Sequence, residues 1–307
     1  MKVFFRALAN FTAGAITAFF IFSHFGFHQA ENRSPENSHS NLHQWYAPTV
    51  PLKMEFAGEA VPLEKWDVKE RFDRELLFNY YWQNNVLYMM KLGNRYFPII
   101  EERLKANGVP ADFKYICVAE SNLLANAISK AGAVGYWQFL TGTASEYQLE
   151  VSDQVDMRRH IIESTDGACK FLKQAYDKFG SWTAAAASYN CGQGGYQQQA
   201  TWQRTKNYYD LMLPEETNRY IFRVLTFKYL LENAKELGFA LDDDDFYQPL
   251  KTKTVFIDKP INNLTQFAID NGTNYKTIKL LNPWLTSKSL NASPRKTYTI
   301  LIPAVPD

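Results

Sequence analysis

Apolar positions recur at helical spacing through most of this chain. Val68, Phe72, Leu76 and Tyr80 fall four apart, and Ile161, Thr165, Ala168, Leu172, Tyr176 and Phe179 hold one face until Gly180, a residue suited to end a helix. A third segment starts at Pro110 and carries Phe113, Ile116 and Cys117 at i, i+3 and i+4, which puts Glu120, at i+7, on the same apolar stripe. Small residues from Ala184 to Ser188 predict a closely packed helix that presents Tyr189 and Asn190 at its end, before Gly192. Pro214-Glu215-Glu216 opens another through Tyr220, Ile221, Val224, Leu225 and Leu231, with acidic residues in the first turn where the helix dipole favours them. After Leu250 the pattern changes. Thr254 to Ile257 and Tyr298 to Ile302 read as strands around two helices, Leu264 to Asn271 and Tyr275 to Leu281, with Asn282-Pro283-Trp284 as a turn. The prediction is a mainly α body followed by a small α+β (βααβ) module.

The N-terminus follows a different logic. Lys2 and Arg6 precede an apolar stretch from Ala7 to Phe27, so residues 1–30 are predicted to be a signal peptide or a membrane anchor. The basic residues on the short side place everything downstream across the cytoplasmic membrane, in the periplasm or cell envelope. Residues 31–50, rich in Asn, Ser, His and Pro, are predicted to be a flexible linker.

Charge and composition narrow the chemistry. The 307 residues carry 33 basic and 32 acidic side chains, a net charge of +1, which supplies no field for phosphate and argues against a nucleic-acid partner. Aromatic residues make up 15%, enough for a dense core or a cleft that stacks on sugar rings. Cys117, Cys169 and Cys191 form no C-x-x-C pair, and His160 is alone in the body, so no catalytic metal is expected. The Asp242 to Asp245 run lacks the glycine and closing Glu of a calcium loop and reads as a solvated linker.

Glu120 is the anomaly that these patterns isolate. A carboxyl group among Phe113, Ile116 and Cys117 is pushed toward its neutral form, which suits a general acid near neutral pH, and sugar cleavage is one reaction that needs such a group. Downstream, Gly132 to Phe139 combines two glycines with Gln138 between aromatic side chains. Four segments in order, Glu120-Ser121, Gly132 to Phe139, Ala186 to Gly192 and Glu216 to Tyr220, resemble the lytic transglycosylases of the Slt type, relatives of goose-type lysozyme. The chain departs from the common forms at Tyr136, Cys191 and Asn122-Leu123, positions that bear on lining and packing.

The resemblance implies a lysozyme-like fold, a peptidoglycan glycan substrate and no cofactor. It further implies Glu120 as the catalytic acid and base, and Ser121, Gln138, Tyr189, Asn190, Glu216 and Tyr220 as substrate-binding or supporting residues. In the reaction it implies, the bond from N-acetylmuramic acid (MurNAc) to N-acetylglucosamine (GlcNAc) is broken and the muramoyl 6-hydroxyl closes a 1,6-anhydro ring. The alternatives are a goose-type lysozyme that uses water and a non-catalytic wall-binding scaffold. Residues 250–307 resemble a diverged LysM module, with Pro260-Ile261-Asn262-Asn263-Leu264 in place of the usual entry; whether it binds glycan stays open. The expected division is 51–240 for the catalytic domain, 241–249 for an acidic linker and 250–307 for the module.

Overall fold

The structure is a computed structural model that describes residues 46–305, so the segment expected to be a signal or anchor, 1–30, and most of the expected 31–50 linker lie outside the described residues. Among the described residues no helix is long and apolar enough to cross a membrane. A two-residue hairpin, β1 (Glu55–Phe56) with β2 (Glu59–Ala60), leads into α1 (Trp66–Tyr80), α2 (Gln83–Ala106), a 3-10 turn at Ala111–Phe113 and α3 (Lys114–Ser121). There follow α4 (Thr141–Glu146), α5 (Ile161–Phe179), α6 (Trp182–Gln203) and α7 (Glu215–Glu232). The mainly α expectation holds, and the apolar stripes do what their spacing requires: Val68, Phe72, Leu76, Phe113, Ile116, Cys117, Ala168 and Leu172 are all fully buried in one core. Gly180 ends α5 in the left-handed conformation.

Helix α6 differs from expectation. It does not stop after Asn190 but bends at Gly192, whose φ of 76° and ψ of 147° interrupt the helix, and then runs on to Gln203. Its first turn is plugged by Glu59 from β2, whose carboxylate accepts from the Trp182 and Thr183 amides at 2.6 and 2.9 Å and from the Ser181 hydroxyl. A negative group there answers the unpaired amides and the dipole together.

The C-terminal module is β3 (Thr252–Ile257), α8 (Leu264–Asp270), α9 (Tyr275–Leu281) and β4 (Tyr298–Pro303), with β3 and β4 antiparallel and Val255 opposite Ile300. It has its own apolar cluster of Leu264, Ala268, Ile278, Leu285, Ile300 and Trp284, and one member of that cluster, Val155, comes from the helical body. The body loop from Glu150 to His160 is stitched to the module. The Asp156 amide donates to the Trp284 carbonyl at 2.8 Å, Thr286 N to Gln154 O at 3.0 Å, and Tyr298 Oη to Glu150 at 3.0 Å. Trp284, only 2% exposed, stacks on Tyr298 and meets the His160 ring at 5.9 Å. Burial lowers the His160 pKa to about 4, so the imidazole is neutral at physiological pH.

The acidic segment before the module is not simply solvated. Asp245 pairs with Lys91 at 3.3 Å, the carbonyls of Tyr247 and Gln248 accept from Asn94 and Arg95 of α2, and Arg95 lies 5.2 Å from the Tyr247 ring centre. The segment is a strap laid along α2.

Because Trp284 fills the junction from the module side, Trp284→Ala is expected to cost about 3–5 kcal/mol, the usual range for emptying a core tryptophan site. Denaturant unfolding followed at the module and at the body checks it: a small loss confined to the module would mean the junction carries little of the stability.

Candidate active site

The Glu120 carboxyl group sits at the C-terminal end of α3, where the chain turns sharply through left-handed Asn122 and Leu123. Its Oε1 accepts a 2.6 Å hydrogen bond from the hydroxyl of Tyr220, which is 1% exposed on α7. Among the described residues Oε2 makes no hydrogen bond. Burial raises the Glu120 pKa to about 7, against the opposing pull of the Tyr220 hydrogen bond and of Arg223, while Glu216 pushes the same way as burial.

Four hydrogen bonds join the four segments singled out in the sequence. Ser121 Oγ, buried, lies 2.8 Å from the Tyr136 carbonyl and so ties α3 to the glycine loop. The Tyr189 hydroxyl donates at 2.8 Å to the Trp137 carbonyl, tying that loop to α6. Thr217 Oγ1 donates at 2.8 Å to Asn190 Oδ1, tying α6 to α7, and Tyr220 returns from α7 to Glu120. The circuit closes on the carboxyl group where it began.

Within the loop, Gln138 adopts a φ of 51° and its amide nitrogen donates to the carbonyls of Gly135 and Ala127. Gly135 has a φ of 86°, and a Cβ there would lie 1.9 Å from the Arg158 carbonyl, so no other residue fits. Arg158 is itself buried, held by both oxygens of Asp156, and donates to the Phe139 carbonyl and to Thr141 Oγ1. A buried ion pair thus fixes the back of the loop.

The carboxyl group opens onto a cavity of about 560 Å³ lined by Glu75, Phe78, Trp82, Arg219 and Arg223, with Glu120 and Ser121 at its base. Of the sequence-derived residues only Glu120 and Ser121 line it; Gln138, Tyr189, Asn190 and Tyr220 stand in the hydrogen-bonded frame, and Glu216 is exposed at the start of α7, 3.2 Å from Arg223. The remaining lining residues were not foreseen. Glu75 was legible, since it stands three residues after Phe72 on the buried stripe of α1, the same anomaly that exposes Glu120. It is bound by Arg219 at 2.6 Å, with Arg223 at 4.0 Å. Phe78 and Trp82 are 67% and 52% exposed, large apolar faces at the rim of a polar cavity.

The electrostatic consequence is specific. Arg219 is bound by Glu75 and Arg223 by Glu216, so the pull of Arg223 on Glu120 is offset in part and burial outweighs it, which raises the pH at which Glu120 loses its proton. Among the described residues no group of three or more His, Cys, Asp or Glu side chains stands where it could hold a metal ion.

Comparison with known proteins fits this arrangement. Residues 97–212 match the family model described as Transglycosylase SLT domain, and residues 253–305 match the one described as Soluble lytic transglycosylase C-terminal LysM-like domain. The first match falls within the helical body and the second on the C-terminal module. It is 26% identical over 199 residues to membrane-bound lytic murein transglycosylase D of Escherichia coli K12, and equally to that of Escherichia coli O6:H1, with 63% of this chain and 43% of the relative aligned. The chain spans less than half the length of those relatives. A solved structure of an inactive mutant of lytic transglycosylase Slt from Pseudomonas aeruginosa aligns at 19% identity and a TM-score of 0.36, over 50% of this chain and 26% of that one. The SLT match takes in Glu120, Ser121, Gln138, Tyr189 and Asn190 but stops before Glu216 and Tyr220.

The raised pKa of Glu120 has a stability consequence independent of any activity. In the folded protein the group titrates at about 7, in the unfolded chain at 4.5, so folding is opposed progressively as pH rises from 4.5 to 7 and by a constant amount above. The gap between 7 and 4.5 converts to roughly 3 kcal/mol at most. Glu120→Gln should therefore stabilise the protein at pH 8 and change little at pH 4. Urea titrations at the two pH values test this; equal effects at both would mean that the carboxyl group is not held neutral.

Proposed function

We propose that this protein is a peptidoglycan lytic transglycosylase that cleaves the MurNAc-GlcNAc β-1,4 bond and leaves 1,6-anhydroMurNAc ends. The observation that carries this reading is a single carboxyl group, Glu120, whose pKa burial raises to about 7, facing a sugar-sized cavity in which the other buried carboxylate, Glu75, is already bound to Arg219. Glu120 donates its proton to the glycosidic oxygen as the bond to C1 breaks through an oxocarbenium-like state. The resulting carboxylate takes the proton of the muramoyl 6-hydroxyl, whose oxygen attacks C1 and closes the ring. No water is consumed and Glu120 ends protonated. Two-carboxylate hydrolysis needs a second free group, and Glu75, tied to its arginine, is poorly suited to supply one.

The frame residues act in this reading by holding Glu120. Tyr220 steadies the carboxylate after proton loss, while Ser121 and Tyr189 keep the loop in place behind it. Gln138 Oε1 and the Asn190 amide nitrogen, both left without hydrogen bonds among the described residues, are available to the acetamido and hydroxyl groups of the strand. Glu216 shapes the charge at the rim through Arg223. Phe78 and Trp82 offer stacking faces for sugar rings. Residues 51–240 form the catalytic domain, joined by 241–249 to the module of 250–307, and residues 1–30 carry the protein to the periplasm or cell envelope and anchor it there or are removed, so that it serves in wall remodelling.

Mass analysis of products from purified sacculi tests the reading. The products should be one water lighter than those of a lysozyme, turnover should fall as pH rises through about 7 and Glu120 loses its proton, and Glu120→Gln should lose nearly all turnover. Reducing ends as the main product would mean hydrolysis, and binding to sacculi with no cleavage at all would mean a scaffold.

A further inference from the structure

A second cleft, of about 540 Å³, lies where the module meets the body. Asn126 and Arg159 line it from the body, and Tyr275, Lys276, Lys279 and Leu280 line it from α9. No acidic side chain lines it. Lys276 is exposed and has no ion pair among the described residues. The Lys279 ammonium is half-buried and rests on the Leu285 carbonyl, with Ser287 O at 3.4 Å, so dipoles and not a carboxylate answer it. Burial and the nearby charge of Arg159 lower its pKa.

Arg159 adds to the imbalance. One of its terminal nitrogens donates to Asn126 Oδ1 at 2.7 Å, but its Nε is buried without a hydrogen bond, 3.4 Å from an Asp156 oxygen that is already engaged by Arg158. Three cations thus share a partly apolar cleft with less than one carboxylate between them, an arrangement that gains most from an anion on a short chain.

The cleft is also coupled to the catalytic loop. Asn126 precedes Ala127, whose carbonyl accepts from Gln138 Nε2 and the Gly135 amide, and Arg159 follows Arg158, whose carbonyl packs on Gly135. The chain that walls this cleft therefore continues directly into the loop behind Glu120.

We propose that the body–module cleft binds the free carboxylates of a peptidoglycan peptide stem. The inference rests on the function proposed above and deepens it. Where a stem is attached, the muramoyl lactyl carboxyl is consumed in the amide that joins it, so the free carboxylates of a substituted strand lie on its peptide stems, and a cationic cleft beside an electrically balanced catalytic cavity separates stem from strand by charge. The LysM-like module then takes part in recognition through a surface that it forms jointly with the body.

The test uses the full-length protein and a synthetic stem tetrapeptide bearing free carboxylates, titrated by calorimetry. The tetrapeptide should bind, more weakly as salt is added, and its carboxamide form should not. Lys276→Glu, a change at an exposed unpaired site, should weaken binding about tenfold with an unchanged melting temperature, while Lys276→Arg should keep it. In cleavage assays the preference for strands whose stems bear free carboxylates over strands whose stem carboxylates are converted to carboxamides should fall with Lys276→Glu by a similar factor. No tetrapeptide binding at millimolar concentration, or binding indifferent to Lys276→Glu, overturns the proposal even if anhydro products form. Tetrapeptide binding that obeys these variants in a protein that forms no anhydro products would sustain the cleft and defeat the catalytic reading instead.

Discussion

The hydrogen bond from Tyr220 to Glu120 closes a loop on which the rest of the site depends. Glu120 and Ser121 are adjacent on α3, yet they face different neighbours: one meets α7, the other the glycine loop. Tyr189 and Asn190, adjacent on α6, do the same in reverse, reaching the loop and α7. Two dipeptides therefore clamp a loop and a helix between two others, and each bond is buried enough to be costly to leave unmade. A carboxyl group held in this way has little freedom to move when it gains or loses a proton.

Its chemistry follows from which charges are already spoken for. Two arginines stand in the cavity, and a lone arginine beside Glu120 would drag its pKa down and leave it ionised. Here Glu75 and Glu216 bind them, and desolvation outweighs what remains of the pull of Arg223, so the pKa rises to about 7. The Glu75–Arg219 pair adds little to stability in itself, since burying an ion pair costs much of what the attraction returns.

The same body loop serves two masters. Asp156 holds Arg158, which braces the glycine loop, and through its amide it also receives the module at Trp284. Val155 beside it is counted in the module's core. The module is consequently not a bead on a string, and the strap along α2 that leads to it is itself ordered by Lys91, Asn94 and Arg95.

Periodicity alone revealed the helices, because burial of one face repeats every turn and leaves a visible stripe; the same rule exposed Glu120 as a carboxyl group out of place, and applied to α1 it would have exposed Glu75. The β3, α8, α9 and β4 order was legible for the same reason, from a switch in period after Leu250. What the sequence could not carry was which partner each polar group would find. The continuation of α6 beyond Gly192, the pairing of Tyr220 with Glu120 across 100 residues, the capture of Arg219 by Glu75 and the docking of Trp284 on the Glu150 to His160 loop all depend on contacts between distant segments. Local pattern decides which face of an element is buried; only packing decides what that face is buried against, and with it the charge that Glu120 carries.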